Sequence, residues 1–80
     1  MPAEDPETTR RVRAQITRRY VDSSQLDVRV MHGTVYLRGV LRQLRTHREV
    51  ELEKEMETIS HVLRQQPGVR DVVWEVTLRA

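Results

Sequence analysis

The chain has 80 residues, 14 of them basic and 12 acidic, giving a net charge of +2; this is one small domain with a modest core and a charge too balanced to name a partner by itself. It has no cysteine, which excludes disulfides, thiolate nucleophiles and cysteine-based metal sites. No run of about 18 apolar residues is present to span a membrane, and the acidic, polar start from Met1 to Thr9 has no apolar segment of the kind a secretory signal needs. The compartment expected is therefore cytoplasmic for the chain as written, and periplasmic if a leader or a larger chain has been removed.

The charges are unevenly placed. Residues 10–19 carry five arginines and no acid, while residues 49–57 carry five glutamates and one lysine. In chain order, residues 1–5 read as a flexible N-terminal tail and 6–80 as the domain. Asp5 is suited to cap a helix with Pro6 at its first position and Glu7 in its first turn. The helix is expected to run to Tyr20 or Val21, with Val12, Ile16 and Tyr20 as its buried stripe. Arg10, Arg11 and Arg18 fall on the far side of that stripe; Arg13 and Arg19 flank it.

After the polar break Asp22-Ser23-Ser24, two alternating segments turn at His32-Gly33. Leu26, Val28 and Val30 alternate with Asp27 and Arg29, and Val35 and Leu37 alternate with Tyr36 and Arg38. Period-two alternation around a two-residue joint containing glycine predicts a β-hairpin over about 26–31 and 34–40. Gly39 shares the buried parity and suits close approach by a helix backbone. Leu41 to Arg45 reads as a connection. Thr46-His47-Arg48-Glu49 fits a capping box for a second helix ending near Gln65 or Gln66, with Leu52, Met56, Ile59 and Leu63 as its core stripe. Glu51, Glu53, Lys54, Glu57 and His61 point outward, Glu57 supporting His61 one turn on. Pro67-Gly68 stops this helix. A last strand over 71–79 carries Val72, Trp74, Val76 and Leu78 on one face. The fold class expected is α+β: a single αββαβ domain, with two helices packed on one face of a three-stranded mixed sheet.

Two groups of residues resemble a known family. Val28-x-Val30-x-His32-Gly33-x-Val35-x-Leu37-x-Gly39-Val40 and Pro67-Gly68-Val69-x-x-Val72-Val73-x-x-Val76-x-Leu78 are similar to the hairpin and closing strand of the BON domain. That module is named for bacterial osmotic-stress and nodulation proteins. His32 stands where the family often has Asn, Trp74 where a small polar residue is common, and the second helix is Glu-rich where the family's is alanine-rich. The resemblance implies a binding module for phospholipid or cell-envelope surfaces and not an enzyme.

The arginines Arg10, Arg11 and Arg18 are the candidate lipid- or phosphate-binding residues, against the plainer reading of a solvated helix face. Lipid binding also calls for an apolar anchor nearby. Only Tyr20 and Val21 stand close, and Tyr20 is assigned to the core. Tyr36 on the outer sheet face and Trp74 on the last strand are the candidate surface anchors. His32, His47 and His61 form no ligand-spaced pair, so no metal or cofactor is expected. The helix-two glutamates lack the cleft that acid–base catalysis needs, and the serines lack a His/Asp constellation. RNA binding ranks lower, for want of a Gly-x-x-Gly loop or a paired aromatic platform. The rival reading is a protein-interaction or self-assembly module that uses a sheet edge or the Glu-rich second helix.

Overall fold

The computed structural model describes residues 5–80. The tail expected over 1–5 therefore lies outside the described residues, apart from Asp5. The first helix, α1, spans Pro6–Thr17. The Asp5 carboxylate accepts from the Thr8 N–H at 3.2 Å and from the Thr8 hydroxyl at 2.6 Å. The Thr8 hydroxyl and amide hold the Asp5 carboxyl below its ordinary value, because both bonds favour the charged form.

α1 ends earlier than its apolar stripe suggests. Arg18 is the C-cap, and the Arg19 N–H bonds the Ile16 carbonyl. The chain unwinds after Thr17, so Val21 swings into the core at 5% exposure, while Tyr20 turns out to 53%. A continued helix would have put Val21 about 140° from Ile16, away from the core.

β1 (Leu26–Met31) and β2 (Thr34–Arg42) form the antiparallel hairpin. Its turn has φ +52° at His32 and +80° at Gly33, the positive pair of a type I′ connection. β2 runs two residues beyond the expected end, and Leu41 is fully buried rather than part of a connection. Gly39 has φ +116°, and an added Cβ would run into the Gln25 carbonyl oxygen just ahead of β1. The close approach at Gly39 is thus made by backbone of the neighbouring strand, not by a helix.

The second helix, α2, spans Leu52–Arg64, with Glu51 as N-cap and no side-chain cap bond. The capping box at Thr46 does not form; the Thr46 hydroxyl meets His47 Nδ1 at 2.9 Å instead. Helicity begins where the apolar stripe begins, at Leu52, and Ile59 and Leu63 are buried with it. Glu57 does not pair with His61, whose Nε2 meets Gln65 Nε2 at 3.1 Å.

β3 (Asp71–Arg79) pairs parallel with β2, giving the order β1-β2-β3 with β2 in the centre. This is the α+β architecture expected from the sequence. Val12 and Ile16 of α1, Ile59 and Leu63 of α2, and Val28, Val30, Val35, Leu37 and Val72 of the sheet share one core. Leu78, on the same parity, remains 36% exposed at the sheet edge. The turn also seats β3. Gly33 O accepts from the Arg70 N–H at 2.7 Å, and His32 O accepts from the Arg70 guanidinium at 3.2 Å.

Two substitutions test this framework. Gly39→Ala is expected to cost about 3 kcal/mol in urea unfolding, because it combines a disfavoured φ with backbone overlap. His32→Asn is expected to raise the melting temperature by about 2–4 °C, because Asn tolerates the left-handed conformation better than His.

Candidate anion-binding surface

α1 turns Val12 and Ile16 inward and leaves Arg10, Arg11 and Arg18 exposed. The three do not converge. Arg10 and Arg18 are about 12 Å apart along the helix direction. Arg11 is already engaged: its Nη2 donates to the Thr8 hydroxyl at 3.1 Å and to the Pro67 carbonyl at 3.2 Å, tying α1 to the loop between α2 and β3. Arg18 is the exposed C-cap of α1, two residues ahead of Tyr20 and four ahead of Asp22, which lines a larger basic surface.

That surface lies at the end of the fold opposite the hairpin. Asp22 bridges to Arg42, with Asp22 N donating to Arg42 O at 2.8 Å and Arg42 N donating to Asp22 O at 3.1 Å. The bridge brings the segment after α1 against the end of β2. Gln43 then folds the following loop, its Nε2 donating to Arg48 O at 3.2 Å and Val50 O at 2.9 Å. An open notch results, lined by Asp22, Arg42, Gln43, Leu44, Arg45, Thr46, Arg48 and Ala80. Among the described residues, Arg42, Arg45 and Arg48 make no side-chain ion pair. One carboxylate sits among them. The Ser24 backbone and side chain, and the charge of Arg42, hold Asp22 below its ordinary carboxylate value, so it stays anionic and offsets part of the positive field.

Tyr20 completes this end. Its ring stacks on His47 with centroids 4.7 Å apart and an interplanar angle of 30°. An exposed aromatic with a polar tip thus stands beside Arg18 and against the arginine-bearing loop. Next to it, Arg19 Nε reaches Glu55 Oε2 at 2.5 Å, which fastens the end of α1 to the first turn of α2. The pair is lopsided: the Glu55 side chain is 10% exposed and that of Arg19 31%.

The other two named residues lie elsewhere and apart. Tyr36 is half-buried on the sheet face that no helix covers, opposite Arg29 on β1 and Val73 on β3. The charges around it satisfy one another, Arg29 with Asp27 at 3.2 Å and Arg38 with Glu75 at 3.4 Å. Trp74 is on the helix-covered face, half-buried, with Nε1 donating to the Ser60 hydroxyl at 2.7 Å.

Sequence reasoning missed Arg42, Arg45, Arg48, His47 and Glu55. A signal for the first three was present: an arginine at every third position through a segment read only as a connection and a cap. Tyr20 was placed in the core, which removed the one anchor near the basic residues. Among the described residues, no three His, Asp or Glu side chains gather as a metal site, and no helix is long and apolar enough to cross a membrane.

Residues 4–80 match the family model of the BON domain, and the chain belongs to that family. No curated protein matches the chain. No solved structure matches it either. The family is one of binding-type modules and is associated with phospholipid.

The Arg19–Glu55 contact yields a stability prediction. Arg19→Met strands a nearly buried carboxylate and is expected to cost about 2 kcal/mol in urea denaturation, less than a fully buried pair because Arg19 is partly solvated. The double variant Arg19→Met/Glu55→Leu should recover more than half of that loss. Equal losses in the single and double variants would rule out stranded charge as the cause.

Proposed function

We propose that this BON domain is a non-catalytic binding module for anionic phospholipid or cell-envelope surfaces, and that it meets them with its basic end. One observation carries the reading. Tyr20 lies exposed beside Arg18 and stacked on His47, within a loop whose Arg42, Arg45 and Arg48 have no ion-pair partner among the described residues. Cations alone attract an anionic surface from a distance, each contributing about 1 kcal/mol close to it. An aromatic with an apolar ring and a polar hydroxyl is the side chain suited to the headgroup level. In this reading Arg18 and the loop arginines make the contact. Arg10 and Arg11 extend the positive field along α1.

Glu53 and Glu57 of α2 are exposed to solvent, and Glu55 is taken up by Arg19.

Flotation with phosphatidylglycerol vesicles at low salt is the test, with phosphatidylcholine vesicles as the reference. The wild-type chain is expected to bind only the anionic vesicles and to be released by salt. Arg45→Glu/Arg48→Glu should weaken binding by at least about tenfold, and Arg10→Glu by about twofold. Tyr20→Ser should weaken binding at all salt concentrations, since its contribution is not electrostatic. No binding to anionic vesicles at low salt overturns the proposal. Loss of binding with Arg10→Glu but not with Arg45→Glu/Arg48→Glu moves the contact to the helix face.

A further inference from the structure

A three-stranded sheet has two edges, and here they are treated differently. The bonding phase of each edge strand follows from its ladder. On β1, Val40 N donates to Gln25 O, so odd-numbered residues face β2, while Leu26, Val28 and Val30 turn their backbone groups outward. That outer row is filled at both ends, and only Val28 between them has its N–H and C=O without a partner among the described residues. Val30 N donates to the Thr9 hydroxyl at 3.2 Å, Asp5 N donates to Val30 O at 2.8 Å, and Leu26 N donates to Ser23 O at 3.0 Å.

β3 is open. Asp71 N donates to Gly33 O and Gln43 N donates to Arg79 O, which fixes the odd residues of β3 toward β2 and turns Val72, Trp74, Val76 and Leu78 outward. Asp71 Oδ1 takes the Val72 N–H. Among the described residues, the N–H and C=O groups of Trp74, Val76 and Leu78 have no partner. Residues 71–79 contain no proline and no lysine, and their charged residues, Asp71, Glu75 and Arg79, are all odd-numbered and turn their backbone groups toward β2.

We propose that β3 pairs antiparallel with β3 of a second copy of this chain, across a two-fold axis at Val76, to make a continuous six-stranded sheet. The choice of a second copy rests on self-complementarity in that register. Val76 faces the partner's Val76, and Trp74 faces the partner's Leu78, with about six backbone hydrogen bonds closing the row. The half-buried Trp74 and Val76 and the exposed Leu78 form a small apolar cluster on the helix side. On the open face Glu75 lies opposite the partner's Thr77, with the partner's Arg79 on one diagonal and the partner's Glu75 on the other, so an opposite charge is within reach and no like charges meet directly. A register centred on Glu75 instead sets glutamate directly against glutamate, which is disfavoured. Because both ends of the β1 edge are occupied and one residue between them cannot build a ladder, the assembly closes at two copies. This inference does not depend on vesicle binding.

Sedimentation equilibrium of the full chain from about 10 µM to about 1 mM tests it. The average mass is expected to approach twice the monomer value. Amide exchange at Trp74, Val76 and Leu78 should slow at least tenfold with concentration, while Val28 does not change. Val76→Pro removes an N–H that bonds nothing within the chain, so the variant should keep its circular dichroism spectrum and remain monomeric. Leu78→Lys, at an exposed position, should do the same without altering the backbone. A monomer at the highest concentration overturns the proposal. So does a dimer that survives in both variants, growth beyond two copies, or protection appearing at Val28.

Discussion

The layers of this fold are joined at Val30. Its N–H and C=O point away from β2, and a buried edge strand with those groups unpaired would be costly. Thr9 and Asp5 satisfy both, through a hydroxyl that accepts from Val30 and donates to Asp5 O at 2.7 Å. The neighbouring Thr8 hydroxyl donates to the Asp5 carboxylate and accepts from Arg11, which continues to Pro67. The first turn of α1 is therefore a cap for its own helix, a plug for the edge of β1 and a tie to the far loop. Thr8 and Thr9 are buried at 4% and 9% exposure, polar residues tolerated there because each hydroxyl both donates and accepts a hydrogen bond. With this end of α1 pinned, its other end is carried to the C-terminal end of β2. Arg18, Arg19 and Tyr20 are delivered there.

Elements that depend on alternation were legible from the sequence. The hairpin turn, the inward residues of β1 and the bounds of β3 follow from period two, glycine and the positive φ that His32-Gly33 must supply. What failed were inferences that let a local motif outrank burial. The stripe Val12, Ile16, Tyr20 has helical spacing, yet the core needed Val21, and only an unwound turn could provide it. Thr46 to Glu49 has the letters of a capping box. However, Gln43 claims the Arg48 and Val50 carbonyls, and the first residue with an apolar face to bury is Leu52. A cap is worth about 1 kcal/mol, and burying a leucine is worth about 2, so the start of α2 follows the leucine.

The basic end was not legible for a different reason. Arg42, Arg45 and Arg48 are close in the chain, but the segment after α1 that carries Tyr20 is far from them, and the Asp22–Arg42 bridge is what brings it alongside. The contrast between an arginine-rich first helix and a glutamate-rich second one was visible in the sequence, but it overstated the separation. Glu55 crosses to Arg19, Glu51 is 3.2 Å from Lys54, and Arg11 is spent on a carbonyl. Among the described residues, Arg42, Arg45 and Arg48 in the loop between the sheet and α2 make no ion pair, and neither do Arg10, Arg13 and Arg18 at α1.

The basic end and the open edge constrain each other. Arg42 and Arg79 are register partners, so the notch lies at the C-terminal end of β2 and β3. In an antiparallel β3 pair those ends point in opposite directions. With the axis at Val76, each Arg79 lies three residues past the centre, so the two ends are separated by about 20 Å along the sheet. Two notches so arranged face away from each other. A flat vesicle surface set across the strand ends would engage one notch per pair, and dimerisation would then add no avidity. The same arrangement presents the second notch to an opposing surface. If the proposed β3 pairing and the proposed surface binding both hold, they combine as a bridge between two surfaces, an outcome that follows from the antiparallel polarity of the β3 pair.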